Sequence, residues 1–239
     1  MNGNSMRKLL LISSSRVHGS EFLEHCRDAI RSHFEGCREI LFVPYALADH
    51  AKYESLVQRA FEPTGIGIRS IHHAASPTTE ITQAEGLFIG GGNSFRLLKT
   101  LYDLELIDPI RQRVAEGMPY MGSSAGTNMA CPTIRTTNDM PIVEPKSLDA
   151  LNLVPFQINP HYLDPDPSST HKGETREQRI AEFHEENQTR VAGIREGSWF
   201  QIVGDNIELH GHSGMRLFEH GVTPKEFVAG DDVKFLLKS

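Results

Sequence analysis

The residues most able to do chemistry stand in a serine pattern with glycine two positions to either side: Gly122-Ser123-Ser124-Ala125-Gly126. Two such glycines let a strand turn sharply into a helix, which pushes the central hydroxyl into solvent and leaves the next backbone N–H free to face an oxyanion. Only Ser124 has glycine at both offsets, since the frame centred on Ser123 would put Met121 and Ala125 there. Ser124 is therefore the candidate nucleophile, with a turn of small residues and no chemistry as the plain alternative. A serine hydroxyl is a weak nucleophile at neutral pH and needs a base, usually an imidazole. Of the twelve histidines, His25 and His33 fall on an expected helix and read as surface or half-buried, while His72, His73 and His184 read as structural. His210 and His212 could share one strand face as metal ligands, but no third ligand stands at a useful spacing, so neither a metal nor another cofactor is expected. His161 stands apart, because it follows Phe156-Gln157-Ile158-Asn159-Pro160, a strand running into a proline turn, and so belongs where loops meet.

The loop Gly90-Gly91-Gly92-Asn93-Ser94 follows the apolar run Leu87-Phe88-Ile89. Three glycines allow backbone N–H groups to approach a ligand, and Asn93 or Ser94 can cap the next helix. One reading is a phosphate cradle, although the lysine of a Walker loop is missing and Leu97 stands where a dinucleotide fingerprint has its last glycine. The other is half of an oxyanion hole, with the N–H groups of Gly92 and Ala125 converging on a tetrahedral intermediate. A tight turn without function is the third.

These residues have to be positioned by the elements around them. In the first half, short apolar runs alternate with longer amphipathic segments, the signature of βαβ units and a mostly parallel sheet. Strands are predicted at Lys8–Ser13, Glu39–Val43, Gly67–His72, Gly86–Gly90 and Met118–Gly122. Helices are predicted at Glu21–Phe34, Asp49–Phe61, Ser94–Leu104 and Pro109–Glu116. Phe22, Cys26, Ile30 and Phe34 recur at four-residue spacing and form one buried stripe. Ligands bind at the edge where the strands of such sheets end. Beyond Ala130 the pattern changes to a polar stretch over Cys131–Pro145, a short strand over Phe156–His161 and a charged helix over Glu174–Asn187. From Arg190 to Phe218, strand-like pieces between turns predict antiparallel hairpins closing the sheet. Residues 164–173, rich in Pro, Ser and Asp, read as a mobile loop.

A chain of 239 residues is long enough to bury most of its apolar surface in one core, and residues 1–239 are expected to form a single α/β domain. The formal charge of −7 argues against nucleic acid or an anionic membrane surface as partner. The start, Met1–Ser15, superficially looks like a signal peptide, but its apolar run is too short, no small-residue cleavage site follows, and it reads as a buried first strand. No stretch approaches transmembrane length. Cys26, Cys37 and Cys131 are an odd set without C-x-x-C spacing, which suits a reduced cytosolic setting.

Taken together, the elbow, the glycine loop and His161 resemble the peptidase E (alpha-aspartyl dipeptidase) family of serine peptidases. The resemblance extends over residues 7–235 and is densest in Leu87–Asn93, Pro119–Asn128 and Cys131–Pro141. It implies a three-layer, doubly wound, mostly parallel α/β sheet related to class I glutamine amidotransferases, with C-terminal antiparallel hairpins. It also implies a cytoplasmic enzyme that hydrolyses Asp-Xaa dipeptides through an aspartyl-enzyme ester; the sequence does not choose between a monomer and a homodimer. Ser124 would be the nucleophile, His161 the base and Glu196 the third member, with Asp139 as a competitor for that last place. Relatives often carry Trp at the position of Ser123, and the smaller side chain here is expected to open or reshape the pocket. A substrate aspartate brings a carboxylate into a partly desolvated site and needs a matched cation, for which arginine is best suited. Arg176, Arg179 and Arg135 are the candidates, Arg176 preferred because it opens a helix, and Asn93 is a further substrate-binding candidate. The alternatives are a cyanophycinase-like peptidase or broader acyl hydrolase, and a non-catalytic module binding an anion or nucleotide.

Overall fold

Leu9-Leu10-Leu11-Ile12 has no polar position, so a strand made from it needs cover on both faces. The computed structural model, which describes residues 7–165, 168 and 173–238, gives it that cover. Strands β1 (Lys8–Ile12), β2 (Glu39–Val43), β3 (Gly67–Ser70), β4 (Leu87–Ile89) and β5 (Tyr120–Ser123) are parallel, in the order β3-β2-β4-β5-β1. Successive side chains alternate between faces. Leu10, Ile12, Ile40 and Phe42 pack beneath α1 (Arg27–His33) and α2 (His50–Phe61). Leu9, Leu11, Leu41 and Val43 face the opposite core, shared with α4 (Ser94–Asp103), α5 (Ile107–Ala115) and α6 (Ala125–Met129). A short helix, α3 (Pro77–Gln83), lies on the same side and is absent from the sequence prediction, because Ile81 is its one buried residue and a single apolar position sets no period.

The predicted stripe of Phe22, Cys26, Ile30 and Phe34 is buried, although its first turn is a 3-10 helix over Glu24–Cys26 rather than α-helix. His33, read as surface or half-buried, has no exposed area. Its ring points inward from α1 and packs edge-on against Phe34.

The C-terminal part departs from the expected closure of one sheet. One hairpin, β8 (Ser198–Val203) and β9 (Asn206–Gly211), does extend the main sheet, with β8 antiparallel to β1. The remaining strands, β6 (Gln157–Pro160), β7 (Val191–Ile194), β10 (Met215–Glu219) and β11 (Val222–Phe227), form a second sheet in the order β11-β10-β7-β6. Alternation of apolar and polar residues specifies which face of a strand is buried, not which sheet it joins. The chain leaves the first sheet at Gly211 and Gly214, where positive φ angles of 96° and 69° admit a turn that side chains disfavour. One face of the second sheet contributes Ile158, Ile194, Met215 and Leu217 to the large core. The other packs Val191 and Phe218 against Ile180 of α7 (Arg176–Glu186), the helix that connects the parallel pair β6 and β7. Of the loop expected over 164–173, residues 166, 167 and 169–172 lie outside the described residues.

Two registers matter for the site. Ile12 is paired with Ser123, so β1 and β5 end side by side. Pro160 is paired with Ile194, so the chain leaving β6 and the chain leaving β7 emerge together.

Candidate active site

Ser124 lies between β5 and α6 with φ 53° and ψ −110°, a conformation that a non-glycine residue adopts only where its surroundings impose it. The imposing groups can be named. Ser124 donates its N–H to the Ile12 carbonyl at 3.0 Å and its carbonyl accepts from Thr127 and Asn128, while the Thr127 hydroxyl is 2.7 Å from the Ile12 carbonyl and 2.9 Å from that of Gly122. Each flanking glycine answers to a close approach. A Cβ on Gly122 would come 2.4 Å from the Gly126 carbonyl oxygen, and one on Gly126 would come 2.0 Å from that of Ile89.

His161 follows β6 and also has positive φ, 53°. Its N–H donates to Ser13 Oγ at 2.9 Å, and that hydroxyl donates to the Ile194 carbonyl at 2.8 Å, so one serine beyond β1 ties the ends of β6 and β7. Imidazole Nε2 lies 2.9 Å from Ser124 Oγ. Nδ1 lies 2.7 Å from Oε1 of Glu196, which sits in the tight turn from β7 to β8 closed by Ser198 N–H to the Arg195 carbonyl at 3.2 Å. An imidazole that donates Nδ1–H to the carboxylate keeps its Nε2 lone pair for the serine proton, which is the chemistry of a general base.

Asp139, the competing carboxylate, borders the same cavity but does not reach His161. Its Oδ2 accepts from the Ser94 N–H and hydroxyl, both at 2.7 Å, and from Thr137 Oγ1 at 3.1 Å, which commits it to the start of α4. Asn93 is likewise committed: Oδ1 caps α4 by accepting from Arg96 N–H at 3.0 Å and Nδ2 donates to the Met140 carbonyl at 2.9 Å. Arg135 is exposed and borders neither cavity that touches Ser124, because Ile134 and Thr136 take the inward positions of its loop. Arg179 is paired with Glu174 at 3.4 Å. Arg176, the first residue of α7, borders the cavity and makes no ion pair or hydrogen bond among the described residues. Burial, and then the neighbouring Arg179, push its guanidinium pKa below the usual value, against an opposing pull from Asp139.

Two cavities meet at Ser124, His161 and Glu196. The first, about 380 Å³, is closed by Asn128, Thr137, Asn138, Asp139 and Arg176. The second, about 600 Å³, runs along Gly91 and Gly92 to Arg16 and Phe22. Gly91 passes so close to the nucleophile that a Cβ there would lie 3.0 Å from Ser124 Cβ. Gly92, at φ 136°, and Ala125, the first residue of α6 and so without an acceptor one turn back, are the amides available to an oxyanion. Ser123 is fully buried, its hydroxyl 2.6 Å from that of Ser15, which borders the second cavity.

Sequence reasoning missed Ser13, Asn128, Thr137 and Asn138. Asn128 Nδ2 donates to the Ile158 carbonyl and Asn138 Nδ2 to that of Pro160, so both hold β6, and polar residues before a strand carry no signal of that. Among the described residues, one cluster has the ligand types for a cation: Glu54, His72 and His73, with ligand atoms within 4.8 Å of one another. It borders neither cavity, and its groups already have partners, His73 Nε2 with Glu54 Oε2 at 2.8 Å and His72 Nδ1 with Ser70 Oγ, outside the cluster, at 2.6 Å.

A serine on a strained strand-to-helix turn, joined through an imidazole to a carboxylate on a doubly wound α/β sheet, is the arrangement of a serine hydrolase. Residues 9–210 match peptidase family S51, and the chain belongs to that family. It is 52% identical over 229 residues to peptidase E of Streptomyces coelicolor, covering 96% of this chain and 94% of that one. It is 46% identical over 237 residues to a probable alpha-aspartyl dipeptidase of Drosophila melanogaster, covering 98% and 99%. The crystal structure of a peptidase from an acI-B1 actinobacterium has the same fold, with a TM-score of 0.69 at 16% identity over 96% of this chain and 97% of that one.

Proposed function

We propose that this chain is a serine dipeptidase that cleaves dipeptides carrying an N-terminal aspartate. The observation that carries the reading is Arg176: a partly desolvated cation that makes no ion pair or hydrogen bond among the described residues borders the cavity that also holds Ser124, His161 and Glu196. An unpaired cation out of bulk water is unfavourable until an anion meets it, and a planar guanidinium matches a carboxylate in two parallel hydrogen bonds. The aspartyl side chain supplies that anion. The names of the relatives from Streptomyces and Drosophila support the same activity.

In this reading Ser124 Oγ attacks the carbonyl of the aspartyl residue and passes its proton to His161 Nε2. Glu196 holds the imidazole by Nδ1 and stabilises the imidazolium. The amides of Gly92 and Ala125 bind the oxyanion, each contributing about 3 to 4 kcal/mol of transition-state stabilisation. His161 then protonates the departing amine, and a water activated by the same imidazole cleaves the aspartyl ester to release aspartate. Asp139, beside Arg176, is the acceptor for the substrate ammonium through the carboxylate oxygen not used by Ser94 and Thr137.

All of these groups come from one chain, which supports a site that needs no second copy, whether the protein is a monomer or a homodimer. The large core shared by both sheets supports a single domain. The free cysteines Cys26, Cys37 and Cys131 suit the cytoplasm, and no helix among the described residues is long and apolar enough to cross a membrane.

A panel of Asp-Leu, Glu-Leu, Asn-Leu and Ala-Leu tests the proposal. Asp-Leu is cleaved far faster than the others, and Ser124→Ala lowers turnover by roughly a millionfold. Equal cleavage of Ala-Leu and Asp-Leu rejects the specificity. Undiminished labelling of Ser124→Ala by a serine-directed phosphonate rejects the nucleophile.

A further inference from the structure

The second cavity has no part in holding the aspartate, yet it shares Ser124, His161 and Glu196 with the first and runs along the Gly91-Gly92 loop. A dipeptide attacked at its first carbonyl, with its aspartyl side chain on Arg176, has to extend its second residue into space on another side of Ser124. That residue carries two groups, a side chain and a free α-carboxylate. The walls of the second cavity have matching chemistry: Val17, Phe22, Leu47 and Leu56 are apolar, and Arg16 brings a cation.

The presentation of Arg16 is built rather than incidental. The loop after β1 folds on Ser14, whose hydroxyl lies 2.5 Å from the Arg16 carbonyl and accepts the Arg16 N–H at 3.0 Å. The guanidinium stands over the Phe22 ring, 5.6 Å from its centroid, a contact that favours a cation in that place. Among the described residues it has no carboxylate within ion-pair distance, whereas Arg7, Arg38, Arg69 and Arg195 are each paired. Among the described residues the site thus has two arginines without an ion pair, one in each cavity adjoining the nucleophile, and an Asp-Xaa dipeptide has two carboxylates.

We infer that the second cavity is the leaving-group subsite and that Arg16 binds the terminal α-carboxylate of the dipeptide, which makes this chain select dipeptides over longer or amidated substrates. This rests on the dipeptidase reading and adds to it the residue that measures substrate length. The apolar wall favours leucine- or phenylalanine-like side chains in the second position. Arg16 is exposed, so its contribution is screened by salt.

The test compares Asp-Leu with Asp-Leu-amide, using the unsubstituted enzyme, Arg16→Met and Arg176→Met. The unsubstituted enzyme prefers the free acid by about 5-fold in kcat/KM, the upper range of a solvent-exposed charge pair. Arg16→Met removes that preference through a raised KM for Asp-Leu, leaves the amide unchanged and keeps phosphonate labelling of Ser124. Arg176→Met lowers both substrates together and keeps the acid-to-amide ratio. Three results overturn the inference: no preference for the free acid in the unsubstituted enzyme, a preference that survives Arg16→Met, or an equal loss on both substrates in that variant. If Asp-Leu itself is not cleaved, the dipeptidase reading fails and this inference with it. If Asp-Leu is cleaved but the ratio does not respond to Arg16, the dipeptidase reading stands.

Discussion

Ser124 and His161, whose side chains meet at 2.9 Å, both have φ near 53°, where a residue with a Cβ costs about 1 to 3 kcal/mol. Neighbouring backbone and Ser13 hold them there. Removing the Ser13 hydroxyl leaves the His161 N–H unsatisfied, while the Ile194 carbonyl keeps its second donor, the Tyr162 N–H at 3.1 Å, so Ser13→Ala lowers kcat about tenfold while KM stays within a factor of two, given about 1 to 3 kcal/mol for an orphaned group. A KM effect without a kcat effect would rule out that role. The two carboxylates of the site separate in the same way. Glu196→Gln loses the charge that holds the Nδ1–H tautomer and reduces kcat by roughly 10⁴, whereas Asp139→Asn raises KM for Asp-Leu and leaves most of kcat. The reverse pattern in steady-state kinetics would exchange their roles. Ser124 was legible because glycines at fixed offsets have one geometric use, and His161 because a proline turn ends its strand. Glu196 was not readable from spacing, since what brings it to His161 is the parallel register of two strands thirty residues apart in a sheet that the pattern did not reveal.

At the scale of elements, the position of Arg176 depends on how α7 begins. Thr175 and Gln178 form a reciprocal capping box, with Thr175 Oγ1 accepting from Gln178 N–H at 3.1 Å and Gln178 Oε1 from Thr175 N–H at 2.8 Å. Arg176 is the residue between them at the first helical position. Thr175→Ala costs about 1 kcal/mol, and in a chain of this size roughly 2 to 4 °C in Tm. The frayed turn also releases the guanidinium, so the preference for Asp-Leu over Ala-Leu narrows. An unchanged preference with lowered Tm would mean that Arg176 is fixed by something other than the cap. Strands β1, β2 and β4 were legible because each is an apolar run bounded by turn residues, and helix α2 because Asp49 caps it by accepting from Lys52 N–H at 3.0 Å. The second sheet was not, because β6 pairs with β7 across the whole of α7 and β7 with β10 across the β8–β9 hairpin, partnerships that the residue pattern of a single strand does not encode.

For the molecule as a whole, acid is the condition under which two buried or paired groups act in separate windows. His33 is fully buried without a hydrogen-bond partner for either ring nitrogen; the Tyr120 carbonyl favours the protonated ring only weakly. Burial first, and the nearby Lys8 charge second, lower its pKa from 6.5 to about 3. The unfolded chain therefore binds a proton that the folded chain refuses. Stability is fully present above pH 6.5 and falls on acidification through that window by about 1.4 kcal/mol per pH unit, until the folded value is reached. Asp164 has the opposite arrangement. Two hydrogen bonds of 2.7 Å from Arg195 hold its carboxyl below the ordinary value of 3.8, so its contribution persists above that pH and is lost only as pH falls through the lower folded value. Urea unfolding at pH 6.5, 5.5 and 4.5 separates the two. His33→Leu flattens the slope of unfolding free energy against pH by about 1 kcal/mol per unit, while Asp164→Asn shifts the level and leaves the slope in that window as it was. An unaltered slope in His33→Leu would mean that the ring is not held neutral by burial, and that the acid sensitivity of this chain originates elsewhere than between α1 and the sheet.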